Sequence, residues 1–172
     1  MRIYLVGYMG CGKSTVGKRL ARAMEMEFID LDEYIEESEG RSIERIFEEE
    51  GESGFRGLEK KHLNDLEERN DFVLSTGGGT PCFYDNMERM NEKGLTIYLE
   101  MDVRSLHYRL THAKKSRPLI STLNEEELYD FIRQHLEQRL EYYENSQMTV
   151  NALGFDQKKV QQLAEHITAL NH

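Results

Sequence analysis

Apolar residues along this chain fall into short continuous runs that alternate with longer stretches of helical spacing. Arg2-Ile3-Tyr4-Leu5-Val6 is a near-continuous apolar run, the pattern of a strand buried on both faces. A glycine-rich turn follows, and from about Lys13 the apolar positions move to Val16, Leu20 and Ala23/Met24, one face of a helix. Phe28-Ile29 predicts a short strand ending in Asp30-Leu31-Asp32. Ser42 stands where an N-cap would precede Ile43, Ile46 and Phe47. A charged helix is expected from near Phe55 to near Arg69, with Leu58, His62, Leu63 and Leu66 inward. Phe72-Val73-Leu74 reads as a strand that runs into Thr76-Gly77-Gly78-Gly79. The second half keeps the rhythm. The expected order is a helix over 86–92, a strand over 95–99, a helix over 103–110 behind Asp102, and a polar, basic loop over 112–122. Asn124-Glu125-Glu126-Glu127 then resembles a capping box opening a helix to about Glu144, before a strand over 148–150 and a last helix capped by Asp156.

Strands alternating with helices imply right-handed crossovers, hence an α/β fold: three layers, α/β/α, around a central parallel sheet of about five strands. The expectation is one domain over 1–172. Ligands of such sheets bind outside the carboxyl ends of the strands. The glycine-rich turn, the Asp30/Asp32 pair and the triple glycine each follow a strand directly, so they should converge on one edge.

Charge then restricts the ligand. The chain carries 32 acidic against 22 basic residues, a net charge of −10. Binding to nucleic acid needs a basic face that displaces counterions from phosphates, and this balance argues against it. An anionic ligand would have to be met by a local cluster of Lys and Arg in a cleft. No apolar run approaches the roughly 20 residues of a membrane span. The apolar start lacks the small-residue cleavage site of a signal peptide. Two cysteines make neither a disulfide framework nor a metal pair, so the expected compartment is the cytosol.

The most specific chemical signal is Gly7-Tyr8-Met9-Gly10-Cys11-Gly12-Lys13-Ser14, which fits G-x-x-x-x-G-K-[ST] between a strand and a helix. Glycines let successive backbone N–H groups turn inward around phosphates, and the following helix adds its positive dipole end. Lys13 is placed to neutralise the β- and γ-phosphates, and the Ser14 hydroxyl to ligate Mg²⁺. Cys11 sits at a variable position and reads as a small filler, although a helix N-terminus can lower a thiol pKa. The run of four apolar residues followed by Asp-Glu that marks transport and motor ATPases and the Asn-Lys-x-Asp of GTPases are both missing. Asp30 and Asp32 instead stand two residues apart at a strand end. Their side chains would point the same way if strand geometry continued, one orienting magnesium water and the other facing an acceptor hydroxyl. The competing reading is that they cap the next helix.

Taken together, residues 7–15, Asp30-Leu31-Asp32, Phe55-Arg56-x-x-Glu59, Gly77-Gly78-Gly79, Arg117-Pro118-Leu119 and Arg139 resemble the shikimate kinase family in order and spacing. The resemblance implies transfer of the ATP γ-phosphate to the 3-hydroxyl of shikimate, a step towards chorismate and the aromatic amino acids. It also implies a substrate-binding segment at about 32–60 and a mobile lid at about 111–122. Nucleotide contacts fall on Gly10, Cys11, Gly12, Lys13, Ser14, Thr15 and Arg117, with Ser14 and Asp30 near Mg²⁺. Arg56 and Arg139 match the pair that grips the shikimate carboxylate. Asp32 matches the residue facing the ring hydroxyls, and Gly78 and Gly79 allow close backbone approach. Glu59 would orient Arg56, Phe55 would wall the pocket, and Lys13, Asp32 and Arg117 form the catalytic set. One departure concerns the loop after Val150, where many relatives hold an arginine that stacks on adenine and this chain has Asn151-Ala152-Leu153-Gly154-Phe155. The partners expected are ATP and shikimate, acting on a monomer. Two other readings share some of these features: a kinase of another small polyol such as gluconate, and a nucleotide-binding regulator without turnover. His62, His107, His112 and His135 lack ligand spacing and read as structural or surface residues, and Tyr142-Tyr143 as packing.

Overall fold

The computed structural model describes residues 1–113 and 120–170. Strand β1 (Arg2–Val6) lies at the middle of a five-stranded sheet, with β3 (Phe72–Ser75) and then β2 (Glu27–Asp30) on one side. On the other side lie β4 (Leu95–Glu100) and β5 (Met148–Asn151). Every pairing is parallel, with Ile3 opposite both Val73 and Leu95, Phe28 opposite Val73, and Ile97 opposite Met148. The apolar run of β1 is buried from Ile3 to Val6, as a central strand covered on both faces requires. Helices α1 (Lys13–Ala23) and α7 (Gln157–Leu170) pack on each other, as do α5 (Val103–Thr111) and α6 (Glu125–Glu144). Helix α4 (Asn86–Lys93) connects β3 to β4. Among the described residues no helix is long and apolar enough to cross a membrane.

The caps expected at four helix starts are formed. Ser42 Oγ accepts from Arg45 N at 3.2 Å and Asp102 Oδ1 from Ser105 N at 2.9 Å. Asp156 Oδ1 accepts from Lys159 N at 2.9 Å, and Asn124 and Glu127 form a reciprocal capping box. Each satisfies backbone donors that the first helical turn leaves orphaned.

The strand after β2 does not continue through Asp32, contrary to one of the two sequence readings. The chain turns at Leu31 into α2 (Leu31–Glu39), and Asp30 Oδ1 accepts from Asp32 N at 3.1 Å as its N-cap. The turn is favourable because Asp32 and Glu33 bring negative charge to the positive end of the helix. Helix α3 (Ile43–Asp65) follows and is broken at Gly51, whose φ of 70° and ψ of −174° lie outside helical geometry. The break separates the Ser42-capped segment from the one carrying Phe55, Arg56 and Glu59.

Candidate active site

The loop between β1 and α1 is a phosphate cradle by geometry. Gly10 and Gly12 have φ of 83° and 101°, left-handed values that aim neighbouring N–H groups inward and that a side chain would strain. Lys13 is buried, and its Nζ donates to Gly7 O at 2.7 Å and Tyr8 O at 3.1 Å, which holds the ammonium inside the curve of the loop. At the next residue of the same helix start, Ser14 Oγ donates to Asp30 Oδ2 at 2.7 Å and lies 3.3 Å from Ser75 Oγ. Cys11 is 1% exposed, filler behind the loop, where a bulky alkylating reagent has no direct approach. A cavity of about 560 Å³ opens over this cradle, lined also by Thr15, Asp30, Asp32, Gly77, Gly78 and Arg109.

Arg109 is a residue the sequence reading missed. It extends from the last turn of α5, and its Nη1 donates to the carbonyls of Gly10 and Cys11 at 3.4 and 3.3 Å. The signal that could have found it is topological: β4 pairs with β1, which brings the segment that follows β4 beside the phosphate loop that follows β1.

A second cavity of about 460 Å³ adjoins the first and shares Met9, Asp32, Ile43, Glu44, Gly77 and Gly78 with it. Its walls divide by chemistry. Ile43, Phe47 and Phe55 give an apolar side, with the two phenylalanine rings 4.8 Å apart. The same cavity is lined by Arg56 and Arg139, the cations that the acidic composition required to be local, with the Arg56 guanidinium 5.3 Å from the centre of the Phe55 ring. Arg56 is held from several directions. Its Nη1 donates to the fully buried Glu59 at 2.7 Å, its Nη2 to Glu52 at 3.3 Å, and its guanidinium lies 4.2 Å from the Phe83 ring. Glu59 in turn accepts from Thr80 Oγ1 at 2.5 Å, which ties the pair to the loop after β3. Arg56 Nε has no partner within the protein. Burial raises the nearby Cys82 thiol to about 11 against the pull of Arg139 and Arg56, so it is a neutral neighbour of these cations.

The triple glycine fits between these groups with no room to spare. A Cβ on Gly77 would fall 2.8 Å from Glu59 Oε1, and one on Gly79 would fall 2.6 Å from Arg56 Nη2. Tyr143 OH donates to Gly78 O at 2.6 Å and fixes the loop from α6. Tyr143 thus makes a specific polar contact as well as the packing the sequence suggested.

Asp32 sits where the two cavities meet. Its Oδ1 is buried without a partner, and burial, reinforced by the negative charges of Asp30 and Glu59, raises its pKa from 3.8 to about 6 despite nearby Lys13. Asp32 lines both cavities, and a carboxylate there is an acceptor for a hydroxyl.

The sequence-predicted residues Gly10, Cys11, Gly12, Lys13, Ser14, Thr15, Asp30, Asp32, Arg56, Gly78, Gly79 and Arg139 therefore gather at one sheet edge, around two adjoining cavities. Arg117 and half of the expected lid, residues 114–119, lie outside the described residues. The family model for shikimate kinase matches residues 9–170. The chain belongs to the shikimate kinase family. It is 47% identical over 158 residues to the shikimate kinase of Phocaeicola vulgatus, covering 92% of this chain and 90% of that one. The crystal structure of shikimate kinase from Bacteroides thetaiotaomicron superposes with a TM-score of 0.90 at 44% identity, covering 99% and 97% of the two chains. Shikimate kinase from Acinetobacter baumannii in complex with shikimate gives 0.82 at 39% identity, covering 98% and 91%. As a shikimate kinase, the protein is a phosphoryl transferase of P-loop fold that uses a nucleotide.

Proposed function

We propose that the two cavities hold ATP and shikimate, and that the enzyme moves the γ-phosphoryl group of ATP to the 3-hydroxyl of shikimate. The observation that supports this best is the Asp32 carboxylate, which lines both cavities between the phosphate cradle and the Arg56/Arg139 cations. Shikimate has a carboxylate at one end of a ring and hydroxyls at the other. With the carboxylate forked by Arg56 and Arg139, the hydroxyl end reaches Asp32. The hydroxyl oxygen attacks the γ-phosphorus, the bond to the β,γ-bridging oxygen breaks, and shikimate 3-phosphate and ADP form. Asp32 accepts the hydroxyl proton, for which a pKa near 6 is well placed close to neutral pH. Lys13, the loop N–H groups and Arg109 offset the phosphate charge. Arg117 keeps the role that the family resemblance implies, stabilising charge that spreads over the transferred group. We propose further that the enzyme acts in the cytoplasm as a monomer.

Ser14 Oγ and Asp30 Oδ2 fit a magnesium ion. They pair two hard oxygen donors beside the cradle, and Ser75 Oγ is close by. Among the described residues no cluster of three or more His, Cys, Asp or Glu could hold a metal. This suits a cation that brings its own water and phosphate oxygens. When bound, the ion supplies charge neutralisation on the phosphates.

The test is a coupled ADP-release assay with magnesium and an acceptor screen that includes shikimate and gluconate. Release should depend on shikimate and be negligible with gluconate. A folded, ATP-binding protein with no shikimate-dependent release would falsify the reading, and release with gluconate alone would transfer it to a polyol kinase.

A further inference from the structure

Helix α6 presents three side chains to the active site from one narrow face. His135, Arg139 and Tyr143 stand four residues apart, so successive members are about 40° apart around the helix axis and about 6 Å apart along it. The middle one opens into the acceptor cavity. Its two neighbours are each tied to a different loop of the site. Tyr143 OH donates to Gly78 O at 2.6 Å in the loop after β3, and His135 Nδ1 lies 2.9 Å from Tyr8 OH in the phosphate loop. Tyr8 is 1% exposed, and its ring meets the imidazole edge-on at 5.5 Å, while Phe131 contacts the same imidazole at 4.9 Å. The two ligand-binding loops therefore grip α6 one turn before and one turn after Arg139.

The chemistry at position 135 suits a clamp rather than a ligand. Burial, then the positive charges of Arg139 and Arg56, push the imidazole down to about 4, so the ring is neutral at physiological pH. A neutral ring can share a hydrogen bond with the phenol without repelling Arg139, which a lysine or arginine at this position would do.

We propose that Tyr8 and His135 form a positioning contact for the acceptor site, setting the height and rotation of α6 against the phosphate loop and so placing the Arg139 guanidinium. The proposal rests on the reading of Arg139 as an anchor for the shikimate carboxylate. It makes a residue of the nucleotide loop a determinant of acceptor affinity.

The experiment compares Tyr8→Phe, which removes only the hydroxyl, with His135→Leu and His135→Asn. Tyr8→Phe and His135→Leu should each raise the shikimate KM about three- to tenfold, the effect of losing one neutral hydrogen bond. The ATP KM and kcat should stay within about twofold of the parent. His135→Asn keeps a polar atom near Nδ1 and should recover most of the loss. Calorimetric titration with shikimate adds a double-mutant cycle: in an Arg139→Ala background, Tyr8→Phe should change the shikimate Kd by less than about twofold. An ATP KM that rises as much as the shikimate KM overturns the proposal, as does a Tyr8→Phe effect that is undiminished without Arg139. Silent Tyr8 and His135 variants beside a defective Arg139→Ala overturn the positioning contact alone. An Arg139→Ala protein with parental shikimate affinity overturns the anchor reading beneath it.

Discussion

Replacing Asp32 by asparagine should make the protein more stable while disabling it, and the gain should depend on pH. In the native protein the carboxylate is largely buried, near Asp30 and Glu59, which raises its pKa from 3.8 to about 6. The sign follows from linkage. Below about pH 4 the acid is neutral in both folded and unfolded chains and costs nothing. As pH rises through 6 the folded protein must ionise a group that the unfolded chain ionised earlier, so stability is lost. With each pKa unit equal to 1.36 kcal/mol, the penalty integrates to about 3 kcal/mol at pH 7 and roughly half of that at pH 5. Asparagine keeps the shape without the charge. Urea unfolding should therefore show a larger gain for Asp32→Asn at pH 7 than at pH 5, roughly in a two-to-one ratio. Turnover at pH 7 should fall by about 10²- to 10⁴-fold, the range for removing a positioned base. In the parent enzyme kcat/KM should rise between pH 5 and 7 with a midpoint near 6, as Asp32 ionises. Equal stability gains at the two pH values would show that Asp32 carries no buried-charge penalty, and near-normal turnover would remove it from the chemistry.

The remaining predictions concern groups that Asp32 works with. Gly79→Ala places a Cβ 2.6 Å from Arg56 Nη2 and must displace the guanidinium from Glu59, so the shikimate KM should rise about 10- to 100-fold, the effect of a lost charge-assisted hydrogen bond, with the ATP KM little changed. Steady-state kinetics with each substrate varied separates the two, and an unchanged shikimate KM removes Arg56 from the anchor. Glu59→Ala leaves the buried Arg56 without its principal partner and Thr80 without its acceptor, so the urea midpoint should drop by the equivalent of about 3–5 kcal/mol. A midpoint equal to the parent's contradicts the buried pair as a structural element. Lys13→Ala should lower kcat by about 10²-fold or more, because the loop loses its central cation. Near-parental kcat at saturating ATP argues that the backbone N–H groups suffice.

Much of this architecture was readable along the chain because its signals are local. Ser42, Asp102, Asn124 and Asp156 cap the first turns they directly precede, and β1 and β3 are apolar runs bounded by glycine-rich turns. Helix α2 left a weaker trace. Leu31 and Ile35 are its buried residues, and one pair of apolar positions in an acidic stretch does not establish a period. The acceptor residues were legible only through resemblance, since an arginine such as Arg56 carries no local mark of the Glu59 carboxylate that will hold it. Arg109 and the Tyr8–His135 pair were not legible. Along α5, nothing separates Arg109 from Arg104 until β4 is known to lie beside β1, and the Tyr8–His135 contact spans 127 residues.

The interruption at Gly51 divides the acceptor wall into two parts with different constraints. The later part of α3 carries Arg56 and Glu59, bolted to the rest of the molecule through Thr80 and Phe83. The earlier part brings Ile43 and Phe47 to the ring from the far side of a joint with no heavy atom within 4 Å of where a Cβ would sit. Grip on the acid group and part of the enclosure of the carbocycle thus sit on opposite sides of the joint, in touch through the Phe47–Phe55 ring contact. Sequence drift can reshape the enclosure by resetting one pair of backbone angles, leaving the grip intact.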